Sequence, residues 1–268
     1  MSGNGLTFVT SDGVRLVYDD DGAGVPVVLI HSYSGNRGHW TFQRRALLDS
    51  GYRVIAIDLR GHGDSDQPAF GLRMSRYGQD VHELLEELEL DEAIVVGHSF
   101  GVAVLWAMLS LYGTQRIGKF VSIDHSPKII NDEDWRWGLR KVEWENVWES
   151  VNFRFAWGNA ELEPARPAHV QAAFPDMDAK FDSFPHPGLR PILLDHFVAD
   201  WRDVLPRIEV PTWVVTSKFS PFYDLDGMEW LASEVQDGTL AVFEHSGHYP
   251  QLNEPDEFNK QLLSFLAP

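Results

Sequence analysis

The sequence predicts an α/β chain: a mostly parallel eight-stranded sheet with helices on both faces and a helical, aromatic-rich cap inserted after the sixth strand. Three observations carry this expectation. Short apolar runs alternate with helical patterns through the first half, the order that builds a sheet covered on both sides. The alternation stops between Ser126 and Ile208, where prolines 164, 167, 175, 185, 187 and 191 break every pattern. It then resumes near the end, so the expected division is 1–125 for the first part of the core, 126–208 for the cap and 209–268 for the second part of the core.

The elements justify themselves in order. Leu6 to Thr10 and Val14 to Tyr18 flank Ser11-Asp12-Gly13, a turn suited to a hairpin. Pro26 to Ile30, Arg53 to Asp58 and Ala93 to Gly97 are continuous apolar runs, as expected of strands buried on both faces. Arg76 to Leu88 spaces Tyr77, Val81, Leu84, Leu85 and Leu88 near three and four, a helix with one apolar face. Phe100 to Tyr112 is apolar nearly all round, which suits a helix packed at the centre of a sheet. Lys119 to Asp124 supplies the sixth strand, Thr212 to Ser217 and Thr239 to Glu244 the last two, and Glu254 to Leu266 a closing helix. The insertion holds Trp135, Trp137, Trp144, Trp148, Trp157 and Trp201, six of ten tryptophans, about twice an even share.

Composition narrows the function. With 268 residues, 44% of them apolar, the chain can bury a full core. A net charge of −18 repels phosphate backbones and anionic lipid, so neither nucleic acid nor a membrane surface is an expected partner. The absence of cysteine excludes disulfides, thiolate metal sites and a cysteine nucleophile. No cofactor or metal is expected. The N-terminus, MSGNGLTFVTSDG, is neither basic nor apolar, and a soluble cytoplasmic protein is expected.

One pentapeptide carries chemistry. Gly97-His98-Ser99-Phe100-Gly101 lies between a buried strand and an apolar helix, where glycines at both ends allow a sharp reversal that projects the Ser99 hydroxyl above the strand ends. Unpaired amides at the helix start place the Phe100 N–H where an oxyanion would form. The loop His31-Ser32-Tyr33-Ser34-Gly35 reaches the same edge and offers the Tyr33 N–H as second donor. The plainer reading, Ser99 as a helix cap, does not require glycine on both sides.

With these residues in view, the chain resembles the α/β-hydrolase fold superfamily. The resemblance extends over His31-Ser32 with Trp40, the run Asp58-Leu59-Arg60-Gly61-His62-Gly63-Asp64-Ser65-Asp66, the elbow at Ser99 and Ser246-Gly247-His248. It implies that His248 is the catalytic histidine. In most members the acid follows the seventh strand, but Ser220 stands there, and Asp124 at the end of strand six resembles the acid position of a minority. Asp224 and Asp226 remain alternatives to Asp124. His31, Ser32, His98 and His125, with Trp137 and Trp144 of the cap, are expected to line the substrate pocket, and His62, Asp58 and Arg60 to belong to a structural turn.

The resemblance implies two enzymatic readings. The first is a serine hydrolase that cleaves an ester, lactone or related acyl bond of a small, apolar, aromatic molecule through an acyl-enzyme. The second follows the acid position, which resembles that of cofactor-independent dioxygenases that cleave 3-hydroxy-4(1H)-quinolones with O₂ as co-substrate. There, a His248/Asp124 dyad would act as general base while Ser99 orients the substrate. A non-enzymatic ligand receptor need not keep serine, histidine and acid together, and haloalkane dehalogenation would require a carboxylate at position 99.

Overall fold

The structure is a computed structural model that describes residues 5–152, 158–175 and 187–267. Trp157 and Pro185 lie outside the described residues. Eight strands form one sheet: β1 (Leu6–Val9), β2 (Arg15–Asp21), β3 (Pro26–Ile30), β4 (Arg53–Asp58), β5 (Ala93–His98), β6 (Ile117–Ile123), β7 (Thr212–Ser217) and β8 (Gly238–Phe243). Their spatial order is β1-β2-β4-β3-β5-β6-β7-β8, with β2 antiparallel to both of its neighbours, β1 and β4, and every other pair parallel. The reversal of order between β3 and β5 is the place where open α/β sheets present their crevice at the carboxyl ends of the strands.

The unbroken apolar runs become central strands because each face of the sheet has its own core. Val28, Ile30, Ile55, Ile57 and Val95 pack on one side with α2 (Met74–Glu87), α3 (Phe100–Tyr112) and α7 (Leu225–Glu234). Val27, Leu29, Val54, Ala56, Ile94 and Val96 pack on the other with α1 (Thr41–Asp49) and α8 (Pro255–Leu266). Period two along each strand thus feeds two helical layers. Helices α1 and α7 were not expected from the sequence. In α1, only Gln43 and Leu47 are buried, and in α7 the glycine at 227 weakens the pattern while admitting the Trp137 ring, whose Cβ lies 2.6 Å from where a Cβ on 227 would be.

Between β6 and β7 the described residues form α4 (Val147–Val151), α5 (Ala168–Ala173) and α6 (Arg190–Val198), joined by irregular chain. Specific bonds fix this insertion to the core. Tyr33 donates its hydroxyl to the Leu189 carbonyl at 3.3 Å, the Met74 N–H donates to Asp195 at 2.7 Å, and His169 Nε2 meets the Leu252 carbonyl at 2.9 Å.

The loop after β4 is held by a buried cation. Arg60 is fully buried, with Nε and Nη2 donating to Asp80 at 2.5 and 2.7 Å and Nη1 and Nη2 donating to Asp12 at 3.0 Å each. This pins the β1–β2 hairpin to α2 through one guanidinium. Removing one carboxylate would leave the buried cation under-compensated. Asp80→Ala should lower unfolding free energy by about 3 kcal/mol, read from urea denaturation, and a loss well under about 1 kcal/mol would contradict this account.

Candidate active site

Strand ends and the loop after β8 bring Ser99, Asp124 and His248 to one edge of the sheet. Ser99 follows β5 with φ 53° and ψ −121°, a conformation that costs a non-glycine residue roughly 1–3 kcal/mol. Its N–H donates to the Ile123 carbonyl at 2.8 Å, and its carbonyl accepts from the Val102 N–H at 2.8 Å. The flanking glycines are required by close approach: a Cβ on Gly97 would lie 2.7 Å from the Val102 nitrogen, and one on Gly101 2.4 Å from the Ile30 carbonyl oxygen. Phe100 is the first residue of α3, so its amide belongs to the unpaired set at that helix start.

The loop after β3 is shaped by His31. Its Nδ1 donates to the Ser32 carbonyl at 2.7 Å, and its Nε2 accepts from the Leu59 N–H at 3.0 Å. This assignment leaves a neutral ring, and burial pushes its pKa well below the ordinary value, with His62 adding to the shift. The Ser32 carbonyl also accepts from the Gly35 N–H at 2.9 Å, and Ser34 takes φ 65° within that turn. Because a trans peptide sets C=O and N–H on opposite sides, these two bonds orient the Tyr33 N–H away from the turn. His31 therefore shapes the loop, and Ser32 is buried within it.

Asp124 is fully buried, follows β6 and takes φ 46°. Oδ1 accepts from the Thr216 hydroxyl at 3.0 Å, and Oδ2 accepts from Ser220 at 2.9 Å and from His248 Nδ1 at 2.7 Å. Burial raises the carboxyl pKa and lowers that of His248, while the two hydroxyl donors favour the carboxylate. His248 is thereby held neutral, with the proton on Nδ1 and Nε2 as its acceptor. Asp224 instead stands at the N-terminal boundary of α7 with its carboxylate paired to Arg140, and Asp226 is exposed in the first turn of that helix.

Aromatic rings surround His248. Phe222 lies edge-on at 4.5 Å, and Tyr249 at 5.0 Å. His98, buried beside Ser99, lies at 4.7 Å and donates Nε2–H to the His248 carbonyl at 2.7 Å. His125 stacks on His196 at 5.0 Å and meets the Tyr223 hydroxyl through Nδ1 at 2.9 Å.

The two expected pocket tryptophans are placed elsewhere. Trp137 packs against Trp135 and Trp230 at 5.4 and 5.8 Å, over α7, and Trp144 is 51% exposed. Tryptophan density marked the segment but not the direction in which each ring faces. Residues that the sequence reading did not place here are Thr216, Phe222, Tyr223, Tyr249, His196 and Glu163. Only Ser220 carried a signal, since it stands where most relatives of this fold place the acid.

Ser220→Ala removes one donor from the Asp124 carboxylate while leaving Thr216 and His248 in place. It should lower kcat by about threefold to tenfold with KM unchanged, measured on whichever substrate the protein turns over best. An unchanged kcat would show that the hydroxyl does not tune the acid.

Comparison with known proteins follows the same lines. The alpha/beta hydrolase family profile matches residues 27–261. A putative non-heme chloroperoxidase from Synechocystis is 27% identical over 273 residues, covering 94% of this chain and 95% of the relative. Among solved structures, an esterase from Exiguobacterium antarcticum superposes with a TM-score of 0.84 at 25% identity, covering 97% of this chain and 98% of its own. An N-acyl homoserine lactone degrading enzyme superposes with a TM-score of 0.76 at 27% identity, covering 96% and 99%. The chain belongs to the alpha/beta hydrolase family.

Proposed function

We propose that the protein hydrolyses an ester or lactone of a small apolar, aromatic molecule through an acyl-enzyme on Ser99. The observation that carries this reading is the His248–Asp124 hydrogen bond of 2.7 Å at the strand edge that also presents the strained Ser99. Ser99 Oγ would attack the carbonyl carbon as His248 Nε2 takes its proton. The charge then on the carbonyl oxygen would be met by the Phe100 and Tyr33 amides. Collapse of the tetrahedral intermediate expels the alcohol, protonated by His248, and water attacks the acyl group by the same path in reverse. Asp124 fixes the tautomer and stabilises the imidazolium in both halves. Phe222, Tyr249 and Tyr33 beside the site favour an apolar or aromatic substrate. The esterase and the lactone degrading enzyme that share the fold support acyl chemistry.

A second reading rests on the dyad alone. His248 and Asp124 form a complete general base without Ser99, at the acid position that resembles that of the quinolone dioxygenases. Deprotonation of a 3-hydroxy-4(1H)-quinolone would give an electron-rich anion that reacts with O₂, with Ser99 orienting the substrate.

One experiment separates the two. The protein is incubated with p-nitrophenyl esters and, separately, with 3-hydroxy-4(1H)-quinolones, with nitrophenol release and dissolved O₂ recorded. Ester turnover that falls more than about a thousandfold in Ser99→Ala and in His248→Ala supports the acyl-enzyme. Consumption of O₂ with the quinolone alone, retained in Ser99→Ala and lost in His248→Ala, would establish the dyad reading instead.

A further inference from the structure

His248 is held by more than its acid. Its carbonyl accepts from His98, its Nδ1 is bound to Asp124, and its backbone N–H donates to Glu163 Oε2 at 3.0 Å. Glu163 comes from the insertion, not from the sheet. The segment that carries it is tied down beforehand: the Gly158 N–H donates to the Arg140 carbonyl at 2.9 Å and the Asn159 N–H to the Pro221 carbonyl at 2.7 Å. Pro221 adjoins Ser220, which binds Asp124, and Phe222, which packs on the His248 ring. The Glu163 carboxylate is thus mounted on the same loop that completes the acid site.

Gly247 shows how closely the carboxyl group approaches. A Cβ at 247 would lie 2.0 Å from Glu163 Oε2 and 2.6 Å from Oε1, and no other group comes as near. The backbone at 247 does not occupy the left-handed region, so a side chain there would be conformationally tolerable. What it would displace is the Glu163 carboxyl, and the glycine serves as the notch that admits that group. Burial and the nearby Asp124 charge raise the Glu163 pKa, with the His248 N–H and Arg166 opposing, so the group is held against an electrostatic cost.

We propose that Glu163 is a positioning residue for His248: through the notch at Gly247 it clamps the histidine's peptide and couples the insertion to the proton-transfer geometry. The inference rests on the reading that His248 is the general base, which both proposed chemistries share. With the carbonyl held by His98 and the N–H by Glu163, the peptide plane on each side of His248 is fixed, and rotation of the ring is left to the Asp124 bond and the rings packed against it. A displacement of about 1 Å at such a group is enough to cost roughly a hundredfold in rate.

The test is a set of five variants: Glu163→Gln, which keeps an acceptor, Glu163→Leu, which keeps bulk but no acceptor, Glu163→Ala, Gly247→Ala, and Gly247→Ala combined with Glu163→Ala. Circular dichroism and melting temperature check folding. Glu163→Leu and Gly247→Ala should each lower kcat by about tenfold or more with KM little changed, while Glu163→Gln stays within about threefold of the parent. In the combined variant, Gly247→Ala should cost nothing further beyond Glu163→Ala, since the collision is gone. Full activity in Glu163→Leu, or a Gly247→Ala penalty that persists without the carboxyl, overturns the proposal. Imidazole proton NMR gives a readout that does not depend on substrate. The low-field Nδ1 proton of His248 should exchange faster in Glu163→Leu but not in Glu163→Gln. If the parent turns over neither esters nor quinolones, the catalytic readings fail. The NMR result then still decides the clamp, an unchanged signal in Glu163→Leu overturning it.

Discussion

A buried carboxylate governs the arrangement of this molecule's working edge. Asp124 is withdrawn from water, and an ionised carboxylate in such a place costs several kcal/mol unless donors surround it. Three donors do, and they come from two separate parts of the chain: Thr216 at the end of β7 with Ser220 just beyond it, and His248 after β8. The order β6-β7-β8 and the paths of two loops must therefore all be in place before the charge is compensated. The acid is as much a test of correct assembly as it is a part of the chemistry.

The same edge concentrates backbone strain. Ser99 and Asp124 end adjacent parallel strands, and both occupy positive φ, where a side chain is disfavoured. Each is held there by a bond to the next strand: Ser99 N–H to the Ile123 carbonyl, and Asp124 N–H to the Val215 carbonyl, both at 2.8 Å. Rigid, doubly covered strands can impose such conformations because their alternatives would break ladder bonds and unpack two cores at once. A loop with few contacts could not, which explains why serine and acid sit at strand ends while the histidine, on a loop, needs external clamps.

How much of this was legible in the sequence depended on how local the signal was. Continuous apolar runs marked β3, β4 and β5, because burial on both faces leaves no other composition open to them, while β1 and β2 were marked by the turn Ser11-Asp12-Gly13 between them. Helix α1 was invisible, since TFQRRALLD buries little and shows no apolar face, and α7 was obscured by Gly227. Ser99 was marked by its glycines, and Asp124 by the hydroxyl found where an acid would otherwise stand. Trp137 and Trp144 were over-read, because a tryptophan count says nothing of orientation. Glu163 was beyond reach: its partner is 85 residues away, and a single glutamate in an irregular segment has no pattern.

The division of labour between sheet and insertion follows from these contacts. The sheet fixes Ser99 and Asp124 to within the precision of its ladders. The insertion reaches the site through a few discrete bonds, Tyr33 to the Leu189 carbonyl and Glu163 to the His248 N–H among them. Those bonds touch the loop after β3 and His248, the two parts that the sheet does not hold directly. A change in the insertion can therefore alter the geometry of the reaction while the core, and with it most of the folding free energy, stays intact. In the proposed chemistry, such a construction separates stability, which lies in the two apolar layers, from rate, which would depend on how two loops are held against the strand ends.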